Sequence, residues 1–272
     1  MGTVDLHVHT TASDGTMTPT EVVEEALKLG LRGIAITDHD TTEGIEEACQ
    51  AASGKSLLVI PGVEISTEWQ EREVHLLGYW IDFKQEWFQA QLRVIREGRE
   101  RRIKAMVQKL NSLGYPVSYS RVEELAGEGS IGRPHVAQAL VEKGYVADIG
   151  EAFEIFIGKG RPAYVPRMKL EPQEAVRLII RAGGVPVLAH PGLIGDDALI
   201  PPLLEAGLRG LEASYPEHSP ETESHYRELA AKYGLIATGG SDFHGYLRGC
   251  HLGESGVPYK IIKVLEELKE MS

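Results

Sequence analysis

The 272-residue sequence predicts an α/β fold made of repeated strand–helix units and interrupted by one helical insertion. Three observations carry that expectation. Short apolar runs of four to seven residues alternate with amphipathic stretches, the pattern of βα units around a parallel sheet. The length suits a single α/β domain with an insertion, near the range of α/β barrels. Residues 84–169 break the alternation with consecutive helical patterns, several of them closed by glycine.

The elements follow in order. VDLHV, starting at Val4, is the first strand candidate. In TPTEVVEEALKLG, Thr18 can cap a helix, Glu21 three residues on completes a reciprocal capping box, and Gly30 supplies the stop. GIAIT, LLVIP, VEIST and VHLLGYW read as further strands. RVIREGRERRIKAMVQKLNSLG, SRVEELAG, RPHVAQALVEKG and IGEAFEIFIGKG then form the insertion. It is expected to span 85–169, between barrel segments 1–84 and 170–272. VPVLAH, GLEA and LIATG resume the strand rhythm.

Composition narrows the class. Apolar residues make up 42% and charged residues 25%, ordinary for a globular enzyme or binding protein. No apolar run reaches the roughly 20 residues of a membrane helix, and no secretory signal is visible, so a cytoplasmic protein without membrane contact is expected. Cys49 and Cys250 are too few for a disulfide framework or a thiolate zinc site. A net charge of −12 argues against duplex nucleic acid as a partner. Residues 99–169 nevertheless hold 12 Lys or Arg against 8 Asp or Glu, which leaves −16 for the remainder. Such a segment either receives an anionic ligand or is a solvated helical surface.

Ligand-type side chains sit at strand edges. His7 and His9 occupy the first strand and its exit, with Asp14 and Gly15 close behind. His39 follows GIAIT, Glu64 lies just beyond LLVIP, His75 opens VHLLGYW, His190 ends VPVLAH, and Asp242 and His244 follow LIATG. Singly, each has a plain reading as a core histidine, a turn residue or a solvated acid. Together they are nine imidazoles and carboxylates in six segments, more than one ion needs, and parallel barrels gather their chemistry at the carboxyl ends of strands. A multinuclear site for Zn, Mn or Fe, with shared carboxylates, follows.

DLHVHTTASDGTMTP, GIAITDHDTTEG, PGVEIS, VHLLGYW, LAHPG and TGGSDFHG together resemble the PHP family, named for polymerase and histidinol phosphatase, over essentially the whole chain. The resemblance implies a distorted (β/α)7 TIM-like barrel with a trinuclear metal centre, manganese first among the metals. It implies that His7, His9, Glu64 and Asp242 ligate one ion, that Glu64 bridges to a second completed by His75 and His190, and that Asp14, His39 and His244 hold a third. The aspartate at position 14, where many relatives carry histidine, resembles the stand-alone nucleotide phosphoesterase branch.

SIGRPHVAQAL, GKGRPAYVP and YPEHSPE strengthen the likeness to members acting on nucleoside 3',5'-bisphosphates and short 5'-phosphorylated RNA. In such relatives these stretches help form the substrate pocket. The expected mechanism is attack on phosphorus by a hydroxide bridging two ions, with the third neutralising charge. Glu64 and Asp242 would fix the cluster, and His218 or a metal-bound water would serve as acid for the leaving group. Arg133, His135 and Arg161 suit a second phosphate, and Lys159 adds a point charge. Histidinol phosphate is the rival substrate. A noncatalytic module binding metal or nucleotide is the rival class.

Overall fold

The computed structural model describes residues 3–70, 72–127, 129, 131–166, 170–245 and 249–270. By contacts the chain divides into two compact units, Met1–Gln89 with Lys169–Ser272, and Ala90–Met168. The division falls inside the helix Glu86–Ser112 rather than ahead of it. The expected end of the insertion, Lys169, lies outside the described residues.

The first unit is a nearly closed barrel. Its strands are β1 Thr3–Val8, β2 Gly33–Ile36, β3 Leu58–Trp69, β4 Arg72–Tyr79, β5 Val185–Leu188, β6 Gly210–Ser214, β7 Ile236–Gly239 and β8 Val257–Pro258. They lie in the order β7-β6-β5-β4-β3-β2-β1-β8. Beyond β7, Phe243 bridges in parallel to Val8, and His9 donates to the Phe243 carbonyl at 2.9 Å, which brings the two ends of the sheet together. Val4, Leu6, Ala35, Ile60, Leu77, Val185 and Val187 share one apolar core.

Three features depart from the alternating parallel pattern. LLVIP and VEIST are one continuous strand, β3. Pro61 and Gly62 read as punctuation in sequence. Here they mark the point where β3 stops pairing with β2 and begins to pair with β4, keeping one parallel bridge from Glu64 to His39 beyond the end of β2. A Cβ on Gly62 would sit 2.9 Å from the Ile36 carbonyl oxygen and 3.1 Å from that of Gly78, so the approach of both neighbours requires glycine. β4 runs antiparallel to β3 and to β5, a reversal that apolar periodicity does not encode. β8, only two residues long, is an antiparallel edge on β1 that carries too little pattern to read.

Local chemistry agrees with the sequence where it was explicit. The Thr18 hydroxyl accepts from the Glu21 N–H, and the Glu21 carboxylate accepts from the Thr18 N–H at 2.8 Å, capping the helix Pro19–Lys28. Gly30 beyond its end has φ +72°. The second unit contains the remainder of Glu86–Ser112, the helices Tyr119–Ala126, Arg133–Glu142 and Ile149–Ala152, and a π-helical turn Phe153–Ile157; it has no strand among the described residues. Its own core includes Met106, Leu110, Val122, Val136, Leu140, Phe156 and Ile157. No helix among the described residues is long and apolar enough to cross a membrane.

Candidate metal centre

Alternation along β1 puts Asp5 and His7 on one face, and His9 continues that face past the strand end. Both histidines are fully buried. His7 Nδ1 is 3.0 Å from Glu212 Oε1; a carboxylate accepts, so Nδ1 carries a proton and Nε2 is the ring nitrogen left to face the cluster. That Nε2 lies 3.1 Å from His9 Nε2, 3.4 Å from Glu64 Oε2 and 3.3 Å from Asp242 Oδ1. His9 Nε2 is 3.2 Å from the same glutamate oxygen and 3.1 Å from the same aspartate oxygen. Four electron-pair donors from three segments thus converge, as ligands of one cation do.

Glu64 occupies the middle of the arrangement. Its Oε2 is 2.9 Å from His39 Nδ1, and its Oε1 is 2.8 Å from His75 Nδ1 and 3.2 Å from His190 Nε2. The reversal of β4 explains how His75, near the start of its strand, reaches the rim where the parallel strands end: it pairs with Ser66, two residues beyond Glu64. At the other side, Asp14 Oδ1 lies 3.2 Å from His244 Nε2, and Asp14 Oδ2 lies 3.9 Å from His39 Nε2. The His244 Nδ1–H donates to the Asp242 carbonyl at 2.7 Å, which aims Nε2 at Asp14. Three overlapping groups result: His7, His9, Glu64 and Asp242; His39, Glu64 and His75; and His9, Asp14, His39 and His244. His9 and His39 each face two groups, which sequence spacing did not suggest.

A divalent cation fits this donor set on two counts. His39 Nδ1, His75 Nδ1, Glu64 Oε2 and Asp14 Oδ1 are buried and outside hydrogen-bond geometry despite their short separations. Orphaned buried donors of this kind need a partner. Charge points the same way. Burial raises the Glu64 carboxyl, but His39, His75 and His7 hold it well below its ordinary value. Burial likewise raises Asp14, and His244 and His39 outweigh it. Burial lowers His9, yet hydrogen bonds to Asp242 and Glu64 carry it up to about 9; burial opposes and Glu64 overrides in His75, also at about 9. His39 is pushed down to about 4 by burial. Ionised carboxylates here hold protons on imidazoles that a cation would displace.

The frame around the cluster includes residues that sequence reasoning missed. Buried Glu212 on β6 takes the His7 proton and accepts from the His190 N–H at 2.8 Å. Asp38 accepts from the Thr10 N–H at 2.8 Å and the Ser13 hydroxyl at 2.6 Å, fixing the loop that carries Asp14. Asp5 accepts from the Ser241 and Gly253 N–H groups at 2.9 and 2.7 Å, tying β1 to the Asp242 loop. The Tyr215 hydroxyl donates to Asp242 Oδ2 at 3.0 Å. A signal existed for Glu212 and Asp5, which are acids flanked on both sides by apolar strand residues. His190 and Asp242 sit at φ +26° and +50°, backbone strain of the kind that collects at functional sites.

The other expected residues have varied settings. Both ring nitrogens of His218 meet main chain: Nδ1–H donates to the Ala213 carbonyl at 2.8 Å, and Nε2 accepts from the Gly192 N–H at 3.1 Å. Arg133, His135, Lys159 and Arg161 all belong to the second unit. The Arg133 guanidinium lies 5.0 Å from the Phe153 ring centre. His135 is buried, and its Nδ1 accepts from the Gly132 N–H at 3.0 Å, a helix cap. Lys159 and Arg161 are exposed in the loop after the π-helical turn.

A PHP domain model matches residues 5–91. Over 250 residues the chain is 36% identical to the 3',5'-nucleoside bisphosphate phosphatase of Chromobacterium violaceum, covering 90% of this chain and 88% of that protein. It is 35% identical over 247 residues to the 5'-3' exoribonuclease Rnm of Escherichia coli, covering 88% of this chain and 84% of that one. Among solved structures, a protein of Bifidobacterium adolescentis assigned as a metal-dependent phosphoesterase superposes with a TM-score of 0.90 at 34% identity, covering 97% of this chain and 96% of that chain.

Proposed function

The chain belongs to the PHP family, and from that premise we propose that this ester hydrolase is a metal-dependent phosphoesterase of small nucleotides, converting a nucleoside 3',5'-bisphosphate to the 5'-monophosphate and phosphate. Short 5'-phosphorylated RNA is a further substrate. The observation that carries the reading is the three overlapping groups of converging imidazoles and carboxylates, in which the buried atoms His39 Nδ1, His75 Nδ1, Glu64 Oε2 and Asp14 Oδ1 stay outside hydrogen-bond geometry.

In this proposal three ions are held: one by His7, His9, Glu64 and Asp242, one by Glu64, His75 and His190, and one by Asp14, His39 and His244. Manganese suits a mixed imidazole and carboxylate set, and Fe or Zn is compatible with it. Divalent ions bound there lower the pKa of a coordinated water and neutralise charge gathering on phosphoryl oxygens. The chain's own residues do the rest. Glu212 fixes the His7 tautomer, and Tyr215 holds one Asp242 oxygen so that the other faces His7 and His9. Asp38 and Asp5 anchor the loops that carry Asp14 and Asp242. Arg133, Arg161 and Lys159 are proposed as phosphate-binding residues, a role supported by guanidinium chemistry and by the positive segment they occupy. His135 caps the helix that begins at Arg133.

The test is phosphate release from adenosine 3',5'-bisphosphate and, at equal concentration, from histidinol phosphate. Chelated protein is expected to be inactive on both, and Mn²⁺ to restore turnover of the bisphosphate. Full activity after exhaustive chelation removes the metal reading; preference for histidinol phosphate removes the substrate reading.

A further inference from the structure

We infer that Glu212 and His218 are positioning residues that clamp the turn carrying His190, and that His218 does not act as the acid for the leaving group. The inference rests on the metal-dependent reading above.

The turn from His190 to Gly192 is held at three consecutive residues by side chains of one sequence stretch. The His190 N–H donates to Glu212 Oε2 at 2.8 Å, the Tyr226 hydroxyl donates to the Pro191 carbonyl at 3.1 Å, and the Gly192 N–H donates to His218 Nε2 at 3.1 Å. His190 needs such a hold, because its backbone lies at φ +26°, ψ +57°, outside the regions an L-residue adopts freely. The fit is close: a Cβ on Gly192 would stand 2.6 Å from His218 Nε2.

His218 is itself fixed. Its Nδ1–H is taken by the carbonyl of Ala213, the residue after Glu212, and its ring lies between Tyr215 and Tyr226, with centroids at 5.2 and 5.7 Å. A ring whose one proton goes to a carbonyl and whose lone pair receives a backbone N–H has neither nitrogen directed at a substrate. Glu212 adds a second connection. Oε2 accepts from the His190 N–H, the His7 Nδ1–H lies 3.0 Å from Oε1 and 3.2 Å from Oε2, and the His7 and His190 rings stack with centroids 5.8 Å apart. Histidines expected on two different ions are thus oriented by one buried carboxylate, the kind of outer partner whose loss weakens metal affinity.

The experiment is Mn²⁺ titration calorimetry on metal-stripped full-length protein, with the thermal midpoint of each stripped variant as the control for folding. Glutamine places an acceptor near the Nε2 position but cannot supply an imidazole proton. His218→Ala and Glu212→Ala are expected to weaken Mn²⁺ binding by about 10- to 100-fold, and His218→Gln to recover most of that loss. Should Glu212→Ala fail to fold, Glu212→Gln replaces it; the amide keeps one acceptor oxygen where the carboxylate offers two and carries no charge, so weakened binding is again expected.

In phosphate release from adenosine 3',5'-bisphosphate, the His218→Ala deficit should shrink as Mn²⁺ is raised to saturation. The clamp is overturned if the alanine variants bind Mn²⁺ like the wild type, if His218→Gln binds as weakly as His218→Ala, or if His218→Gln keeps a low kcat at saturating Mn²⁺. Wild-type protein that binds no Mn²⁺ refutes the metal-dependent reading itself, and the clamp with it.

Discussion

Both units of the chain have an apolar core, and they differ in how many ionisable side chains they bury beside it. In the barrel unit Asp5, His7, His9, Asp14, Asp38, Glu64, Glu212, Asp242 and His244 are all more than nine-tenths buried. In the helical unit the core includes Met106, Leu110, Val122, Val136, Leu140 and Phe156, the buried ionisable side chains include Arg99, Arg102 and His135, and surface charges pair with one another, as Arg121 does with Glu142 at 2.8 Å. Burying an ionisable group is costly unless partners offset it. The barrel meets that requirement with rigid strands and a frame of carboxylates. The helical unit, with an apolar core, follows the ordinary rules of helix packing. Chemistry should therefore fail in the first unit without unfolding, and stability should fail in the second without loss of ion binding.

The comparison is open to breaking from either side. The largest effect is expected from Asp242→Ala, whose carboxylate faces both His7 and His9. Phosphate release should fall by about a thousandfold, the scale of several kcal/mol of lost charge stabilisation, while the far-ultraviolet circular dichroism stays native. Unchanged hydrolysis would remove Asp242 from the site.

Leu140→Ala empties part of the helical core, where Leu140 is fully buried. It should cost about 2–5 kcal/mol in urea unfolding, with Mn²⁺ stoichiometry unchanged. Loss of Mn²⁺ binding in folded Leu140→Ala protein would contradict the separation of roles.

A smaller effect concerns pH. In chelated protein His9 and His75 titrate at about 9, raised above the ordinary histidine value of about 6.5. Stability that depends on their protonated forms is complete below about pH 6.5 and is lost as pH rises through about 9. Chelated protein should therefore show a lower urea midpoint at pH 9.5 than at pH 7. Mn²⁺, which holds imidazoles neutral, should remove that loss. A chelated midpoint that rises over the same interval would contradict the sign.

Much of this contrast is legible in the sequence. The paired histidines of VDLHVHT, the acids of PGVE and GGSD, and the helical run that breaks the strand rhythm are local patterns, and local pattern is what sequence carries best. Non-local pairing was hidden. The reversal of β4 brings His75 to the rim, and nothing in VHLLGYW states the direction of a strand. Glu212 passed as one acid in a short strand because its partners, His7 and His190, are distant in sequence. His218 looked like a proton donor because an isolated histidine often is one. Only the carbonyl of Ala213 and the N–H of Gly192 reveal where its two nitrogens go.

The most direct measurement is the metal content of the protein after reconstitution with Mn²⁺ and removal of excess, by mass spectrometry of the element against protein concentration. Close to three ions per chain are expected in the wild type, with fewer in Asp242→Ala. No bound ion in the wild type, or the same count in both proteins, would contradict the reading of the buried imidazole and carboxylate cluster as a multinuclear metal centre.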